Sequence, residues 1–139
     1  MGDRGGTMPI RMNWDDEGKT IYRCTVSGRW TLREFLDCNA MFHSDMAQVA
    51  HPVITIVDLR GAKLTSGTLI DAIEVIRTQP VPNADIIIAI SGSGLWQRTF
   101  ATIQTIFGGL FPVFNPRVKW VTSDREAYQV IAKHRSLPH

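Results

Sequence analysis

The first part of the chain alternates apolar and polar residues in a pattern that predicts a β-hairpin. Residues 10–14 alternate with a period of two, and residues 20–26 do so again with β-branched and aromatic side chains. The acidic segment between them, residues 15–19, is typical of a turn, and Gly18 is the residue best suited to a positive φ there. The two segments are therefore predicted to pair as antiparallel strands, ending at Ser27-Gly28.

Helical periodicity then alternates with short apolar runs along the rest of the chain. Residues 53–57, 86–90 and 118–122 read as strands, and the first two are apolar enough to be buried on both faces. Apolar residues at helical spacing predict helices at 31–49, 69–76, 96–107 and 124–133, and a loop is expected over 59–65. Two capping boxes, Thr31 with Glu34 and Ser123 with Glu126, mark the starts of the first and last helices. The predicted order is ββαβαβαβα, an α/β fold with a mixed, mostly parallel sheet and helical crossovers.

Domain organisation follows from where this periodicity begins and ends. Residues 1–8 hold three glycines without periodicity and are expected to form a flexible tail. Residues 9–135 are expected to form a single domain, with residues 136–139 frayed. Trp30 immediately precedes the cap of the first helix. We predict that it forms a hydrophobic staple there.

Composition and charge narrow the function classes. The 139 residues are 44% apolar and 20% charged, with a formal net charge of +2 and no run of Lys or Arg, so a nucleic-acid surface is not expected. No apolar stretch is long enough to span a membrane, and no signal peptide is apparent, so a cytoplasmic location is expected. Cys24 and Cys38 are expected to be buried, reduced thiols. No metal-ligand spacing, cofactor motif or nucleophile with an acid–base pair is present, so neither a cofactor nor an enzymatic activity is expected.

Three local motifs carry a resemblance to a known family. Residues 53–58 with Leu59-Arg60-Gly61 are similar to a buried strand that ends in Asp-Leu-x-Gly. Thr65-Ser66-Gly67, followed by Leu69, is similar to an Asp-Ser-Ser-Gly-Leu loop, although Leu64 stands in place of the acidic residue and the loop is one residue shorter. The segment 123–127 is similar to a shared helix start. Together with the element order, these motifs resemble the STAS domain of anti-sigma-factor antagonists, the SpoIIAA-like fold with its SEC14-type relatives, from about residue 10 to residue 133.

The resemblance implies a regulatory role without catalysis. In family members that switch, a kinase phosphorylates the serine before the glycine, which is Ser66 here. The implied function is a bacterial signalling module that docks a protein partner, a kinase-like regulator or another signalling protein, through the surface around Leu64–Leu69. The docking residues would be Asp58, Leu64, Thr65, Ser66, Gly67 and Leu69. From the residues themselves, simple capping of the next helix by Ser66 is sufficient to explain the serine and is favoured over the switch. The sequence also leaves a homodimer open.

A second loop suggests a different class of function. Ser91, Gly92, Ser93 and Gly94 connect a strand to a helix, and backbone amides in such a loop can hold an anion. With the aromatic stripe of residues 96–107 lining an apolar pocket, the protein would carry a small anionic or lipid-like ligand. The same four residues also suit a tight turn with no ligand.

Asp58 could also be a receiver-type phosphoacceptor, because it ends a buried strand. That chemistry needs nearby acidic residues, and the acids of residues 15–17 are expected at the opposite edge of the sheet. We therefore expect Asp58 to brace its own loop.

Overall fold

The structure, a computed structural model, describes residues 10–63, 71, 75, 81–91 and 118–137. Within these residues the chain forms five strands and two helices: β1 (Ile10–Trp14), β2 (Ile21–Gly28), α1 (Leu32–Met46), β3 (Val53–Ala62), β4 (Ala84–Ile90), β5 (Val118–Val121) and α2 (Asp124–Ser136). Two isolated positions inside the predicted 69–76 helix, Asp71 and Val75, are also helical. The predicted 96–107 helix lies outside the described residues.

The five strands form one sheet in the order β1-β2-β3-β4-β5. β1 pairs antiparallel with β2, and the other three pairs are parallel. Thr25, Asp58, Ile90 and Val121 are paired in one row across the sheet. β4 and β5 end at this row, and β2 and β3 continue three and four residues beyond it. We call this side of the sheet the carboxyl edge and the opposite side the amino edge. The mixed, mostly parallel α/β architecture predicted from the sequence is confirmed.

Apolar side chains cover both faces of the sheet. On one face a cluster rich in isoleucine packs under α2, and it comprises Ile21, Ile54, Ile56, Ile86, Ile88, Ile90, Val121, Ala127 and Ile131. On the other face two clusters pack under α1, and their buried members are Ile10, Tyr22, Val26, Trp30, Cys38, Met46, Val53, Leu59 and Ala89. β3 and β4 are buried on both faces because each is covered by a helix layer or a cluster on either side, as their continuous apolar runs predict.

The third strand is longer than predicted. Residues 59–62 were expected in a loop, but β3 continues to Ala62, since its pairing with β2 resumes after a bulge, with Gly61 opposite Ser27. The Lys63 backbone N–H then donates to the Gly28 carbonyl oxygen at 2.9 Å. The ladder therefore extends four residues beyond Asp58, and the prediction of a loop at 59–62 is wrong.

Two local predictions are corrected by hydrogen bonds that the pattern did not reveal. The positive φ of the hairpin turn belongs to Lys19 (56°) and not to Gly18, because the Asp16 carboxylate accepts the backbone N–H groups of Thr20 and Ile21. Ser123 caps α2 as predicted, but Glu126 does not complete a capping box with it. Its carboxylate accepts instead from the backbone N–H and the hydroxyl of Thr122, at 2.7 and 2.8 Å.

The start of α1 matches its prediction. Thr31 and Glu34 form a reciprocal capping box, and the Trp30 ring packs on Phe35 at a centroid distance of 6.0 Å, which is the contact of a hydrophobic staple. The helix ends at Met46, three residues before the predicted end.

A buried tyrosine joins β2 to the last turn of α1. The Tyr22 hydroxyl donates to the Asp45 carboxylate, and the Tyr22 ring makes edge contacts with Trp14 and Phe42. Burial, reinforced by the bond to Asp45, raises the pKa of Tyr22 far above its ordinary value. A carboxylate near a helix C-terminus is unfavourable to the helix dipole, so this bond accounts for Asp45 at its position.

We predict that Tyr22→Phe and Asp45→Ala are coupled. Each substitution alone should lower the free energy of unfolding by about 1–2 kcal/mol, because it leaves one partner of a shielded hydrogen bond unmatched. The double variant should lose clearly less than the sum of the two, as measured by urea unfolding. Strictly additive losses would show that the bond contributes nothing to stability.

Candidate functional site

Four charged side chains form a closed ring at the carboxyl edge. Arg23 of β2, Asp58 and Arg60 of β3, and Asp124 at the first position of α2 alternate in sign around it. We call these four residues the charge ring. They connect two neighbouring strands to the start of the helix that covers them.

The contacts in the ring are short and multiple. Arg60 binds Asp58 side-on, with Nε 3.0 Å from Oδ1 and Nη2 2.7 Å from Oδ2. Arg23 Nη2 lies 3.0 Å from Asp58 Oδ2 and 2.7 Å from Asp124 Oδ1. Arg60 Nη2 completes the ring at 3.0 Å from Asp124 Oδ2. Each guanidinium therefore bridges both carboxylates.

The strand register explains why these side chains meet. Arg23 follows Ile21 by two residues, and Asp58 follows Ile56 by two, so both side chains project on the face that α2 covers. At the carboxyl edge the isoleucine layer gives way to this polar group. The Arg60 backbone N–H also donates to Asp58 Oδ1 at 3.1 Å, which holds the strand after Asp58 in place.

Electrostatics keeps the two carboxylates of the ring ionised. Burial alone would raise the pKa of Asp58, but the hydrogen bonds from Arg60 and the charges of both arginines outweigh it and lower that pKa. The hydrogen bond from Arg23 is the main cause that lowers the pKa of Asp124. The Asp58 side chain is only 10% exposed, whereas those of Arg60 and Asp124 are 36% and 47% exposed. Asp58 thus serves as the internal brace of the ring, and the ring presents Arg60 and Asp124 to solvent.

Among the predicted site residues, the structure describes only Asp58 and Ser91. Asp58 lies in the charge ring, inside β3 and not at the start of a loop. Ser91 follows β4 at the same edge, is 1% exposed, and donates its backbone N–H to the Val121 carbonyl at 2.9 Å. Its hydroxyl has no hydrogen-bond partner in the described part of the chain. The other predicted site residues lie outside the described residues: Leu64, Thr65, Ser66, Gly67, Leu69, Gly92, Ser93 and Gly94.

Sequence reasoning missed the roles of Arg23, Arg60 and Asp124. Arg23 bonds to Asp58 across 35 residues of sequence and to Asp124 across 101. One signal was present, since Arg23 is a cation on a strand with buried neighbours, where a charge needs a partner. Local sequence patterns cannot identify which residue so far along the chain will be that partner.

The two cysteines are not activated as nucleophiles in the described structure. Burial raises the pKa of the Cys24 thiol to about 12, and burial also raises that of Cys38, so both thiols stay protonated at neutral pH. Both are free, Cys38 is buried and Cys24 is half-buried. The described residues contain no group of three or more His, Cys, Asp or Glu side chains that could hold a metal ion. Among the described helices, neither is long and apolar enough to cross a membrane.

We predict that the charge ring makes stability depend on pH in the acid range. The carboxylates of Asp58 and Asp124 have lowered pKa values, so their contribution is complete above the unfolded-state value of about 3.9 and is lost as pH falls below it. Asp58→Asn should lower the free energy of unfolding by about 3 kcal/mol at neutral pH, since it leaves two arginines without their shared carboxylate. Urea unfolding across the acid range should show this difference shrinking towards pH 2. A difference that stayed constant with pH would mean that ionisation of the ring is irrelevant to stability.

Comparison with known proteins identifies the architecture. No protein-family model matches the sequence, and no curated protein sequence matches it. The structure is similar to the crystal structure of an uncharacterized protein of the DUF3478 family from Shewanella loihica PV-4, which has a SpoIIAA-like fold. The match has a TM-score of 0.61 at 11% sequence identity, and it covers 87% of this chain and 90% of that chain. The chain therefore adopts a SpoIIAA-like fold, as the resemblance of its sequence to the STAS domain predicted.

Proposed function

We propose that the protein is a non-enzymatic interaction module that docks a regulatory protein partner at the carboxyl edge, gated by phosphorylation of Ser66. The observation that carries this proposal is the charge ring. It fastens the end of β3, from which the predicted switch loop continues, to the start of α2. A loop that leaves such a braced frame is suited to presenting a fixed binding surface.

The chemistry of the described carboxyl edge supports binding rather than catalysis. Asp58 is ionised and fully engaged by two arginines, so it has neither a transferable proton nor a free lone pair aimed at solvent. The acidic residues of the hairpin turn, which a phosphoacceptor aspartate would need beside it, precede β2 and lie at the amino edge. The exposed portions of Arg60 and Asp124 remain available for contacts with a partner.

The described chain that precedes Ser66 supports the gate. The Lys63 backbone is hydrogen-bonded to Gly28, so the chain is fixed at residue 63. Ser66 follows Lys63 by three residues, and three residues of chain span at most about 10 Å. A phosphoryl group there adds nearly two negative charges and would change both the shape and the charge of the docking surface.

The test compares Ser66→Asp and Ser66→Ala with the matched control Ser44→Asp. Ser44 is an exposed residue of α1, so its substitution adds the same charge elsewhere on the molecule. Each tagged variant is expressed in the native host, its mass is measured for phosphorylation, and co-purifying proteins are quantified. We expect wild-type protein to carry a phosphoryl group on Ser66, and Ser66→Asp to lose at least about ten-fold of a partner that Ser66→Ala and Ser44→Asp retain, about 1.4 kcal/mol of binding free energy.

An unmodified Ser66 together with equal recovery of the same proteins by all three variants would contradict the gate. Absence of any specifically co-purifying protein would contradict docking itself.

A second candidate function, a carrier of a small anionic or lipid-like ligand, is favoured by one observation. The Ser91 hydroxyl is buried without a hydrogen-bond partner in the described structure, and a buried polar group usually has one. A ligand head group held at the loop that Ser91 begins would supply it. The loop itself continues outside the described residues.

We predict that phosphate or laurate at a concentration ten times its Kd raises the melting temperature by about 3–5 °C, by mass action on the folded state. Ser91→Ala should abolish the rise, whereas Ser27→Ala, which alters an exposed serine at the end of β2, should not. A flat response of the wild type to millimolar concentrations of both probes would exclude the carrier hypothesis for these ligand types.

A further inference from the structure

We propose that the partner docked at the carboxyl edge presents an acidic protein segment, which is recognised by three exposed cations: Arg11, Arg29 and Lys63. We call these three residues the cationic rim. This inference rests on the proposed docking function and adds the chemistry of the partner.

The sheet topology brings the rim together. The Lys63 backbone N–H is hydrogen-bonded to the Gly28 carbonyl oxygen, and Arg29 directly follows Gly28 in the chain. Lys63 and Arg29 are therefore neighbours at the carboxyl edge. β1 is antiparallel to β2, so its first residues lie at the carboxyl edge, with Arg11 opposite Thr25. Thr25 precedes Gly28 by three residues, about 10 Å along the strand. Residues from three separate segments of the chain therefore lie within the reach of one short peptide.

The rim cations are free to bind, because they are exposed and make no ion pair in the described structure. The acidic side chains of the same edge are already engaged. Asp58 and Asp124 belong to the charge ring, Asp37 pairs with Arg33 at 3.6 Å, Glu34 accepts the Thr31 N–H at 2.8 Å, and Glu126 accepts the Thr122 N–H at 2.7 Å. Bonds from neutral N–H groups leave the charges of Glu34 and Glu126 in place. The three rim cations and the exposed Arg125 outnumber these two carboxylates, so the net charge left at the described carboxyl edge is positive.

Other features of the fold reinforce this asymmetry. Both described helices begin at the carboxyl edge, so the positive ends of their dipoles lie there. The opposite, amino edge holds five acidic residues against three exposed cations, namely Asp15, Asp16, Glu17, Asp45 and Asp85 against Lys19, Lys133 and Arg135. A molecule with this distribution orients an acidic partner towards the carboxyl edge before contact.

The observations favour a protein segment over a membrane or a nucleic acid. The described residues that expose large apolar side chains are Leu36, Met41, Tyr128 and Leu137, and none of them belongs to the rim segments. Stable attachment to an anionic membrane usually combines such anchors with a larger basic cluster. A nucleic-acid backbone is normally neutralised by about six to ten cations. Three cations suit a short run of carboxylates on the partner. Hydrogen-bond donors of the same partner segment could face the exposed Asp124 carboxylate.

The experiment measures fluorescence anisotropy of a labelled decaglutamate peptide titrated with the full chain at low ionic strength. Arg29→Gln/Lys63→Gln removes two rim cations, and Lys119→Gln/Lys133→Gln removes two exposed cations from β5 and α2, with the same change in net charge. We expect the rim variant to bind about three- to ten-fold more weakly than wild type, and the control variant to bind within about two-fold of it. The affinity of the wild type should fall as salt is added. Circular dichroism of both variants checks that each is folded.

Three outcomes would overturn the inference: no binding of the peptide by wild type, equal weakening by the two double variants, or tighter binding of phosphatidylglycerol vesicles or a short DNA duplex than of the peptide. None of these bears on whether a partner co-purifies in the Ser66 experiment. The proposed function and the acidity of its partner can therefore fail separately.

Discussion

The burial of Asp58 is the constraint on which the carboxyl edge depends. This residue ends the part of β3 that is apolar on both faces, where an unpaired carboxylate would be costly. Two arginines from different positions of the sheet compensate it, and Asp124 in turn balances both. Because the four charges need one another, β2, β3 and α2 are held in one arrangement at the edge from which the connecting loops leave.

The charges of the ring hold the strands and helix α2 together and do not take part in a reaction. A carboxylate with a lowered pKa that is already bound by two guanidinium groups is a poor acid and a poor nucleophile, and the two thiols are kept protonated by burial. The same pairing leaves a net positive charge at the described carboxyl edge, to which the cationic rim contributes. A rigid frame with an uncompensated charge pattern is what a docking surface requires, and the proposed function follows from that combination.

The fold could be predicted largely from local sequence patterns, and the site could not. Alternation in β1 and β2, continuous apolar runs in β3 and β4, and the Thr31–Glu34 capping box each act within a few residues, so the sequence displays them directly. The predictions that were wrong involve neighbours in space. β3 extends to Ala62 because β2 pairs with it there. The Glu126 carboxylate accepts from the backbone N–H and hydroxyl of Thr122 and not from the backbone N–H of Ser123.

The sequence by itself therefore determined the order of the elements, the burial of the central strands, the capping of α1 and the position of Asp58 at a strand end, because all of these depend on the local periodicity of apolar and polar residues. Only the tertiary structure decided that Arg23, Arg60 and Asp124 close a ring around Asp58, and that Arg11, Arg29 and Lys63 lie at one edge. Charges act across space without a required spacing along the chain. Their partners are chosen by strand register and helix packing, which exist only after the chain has folded.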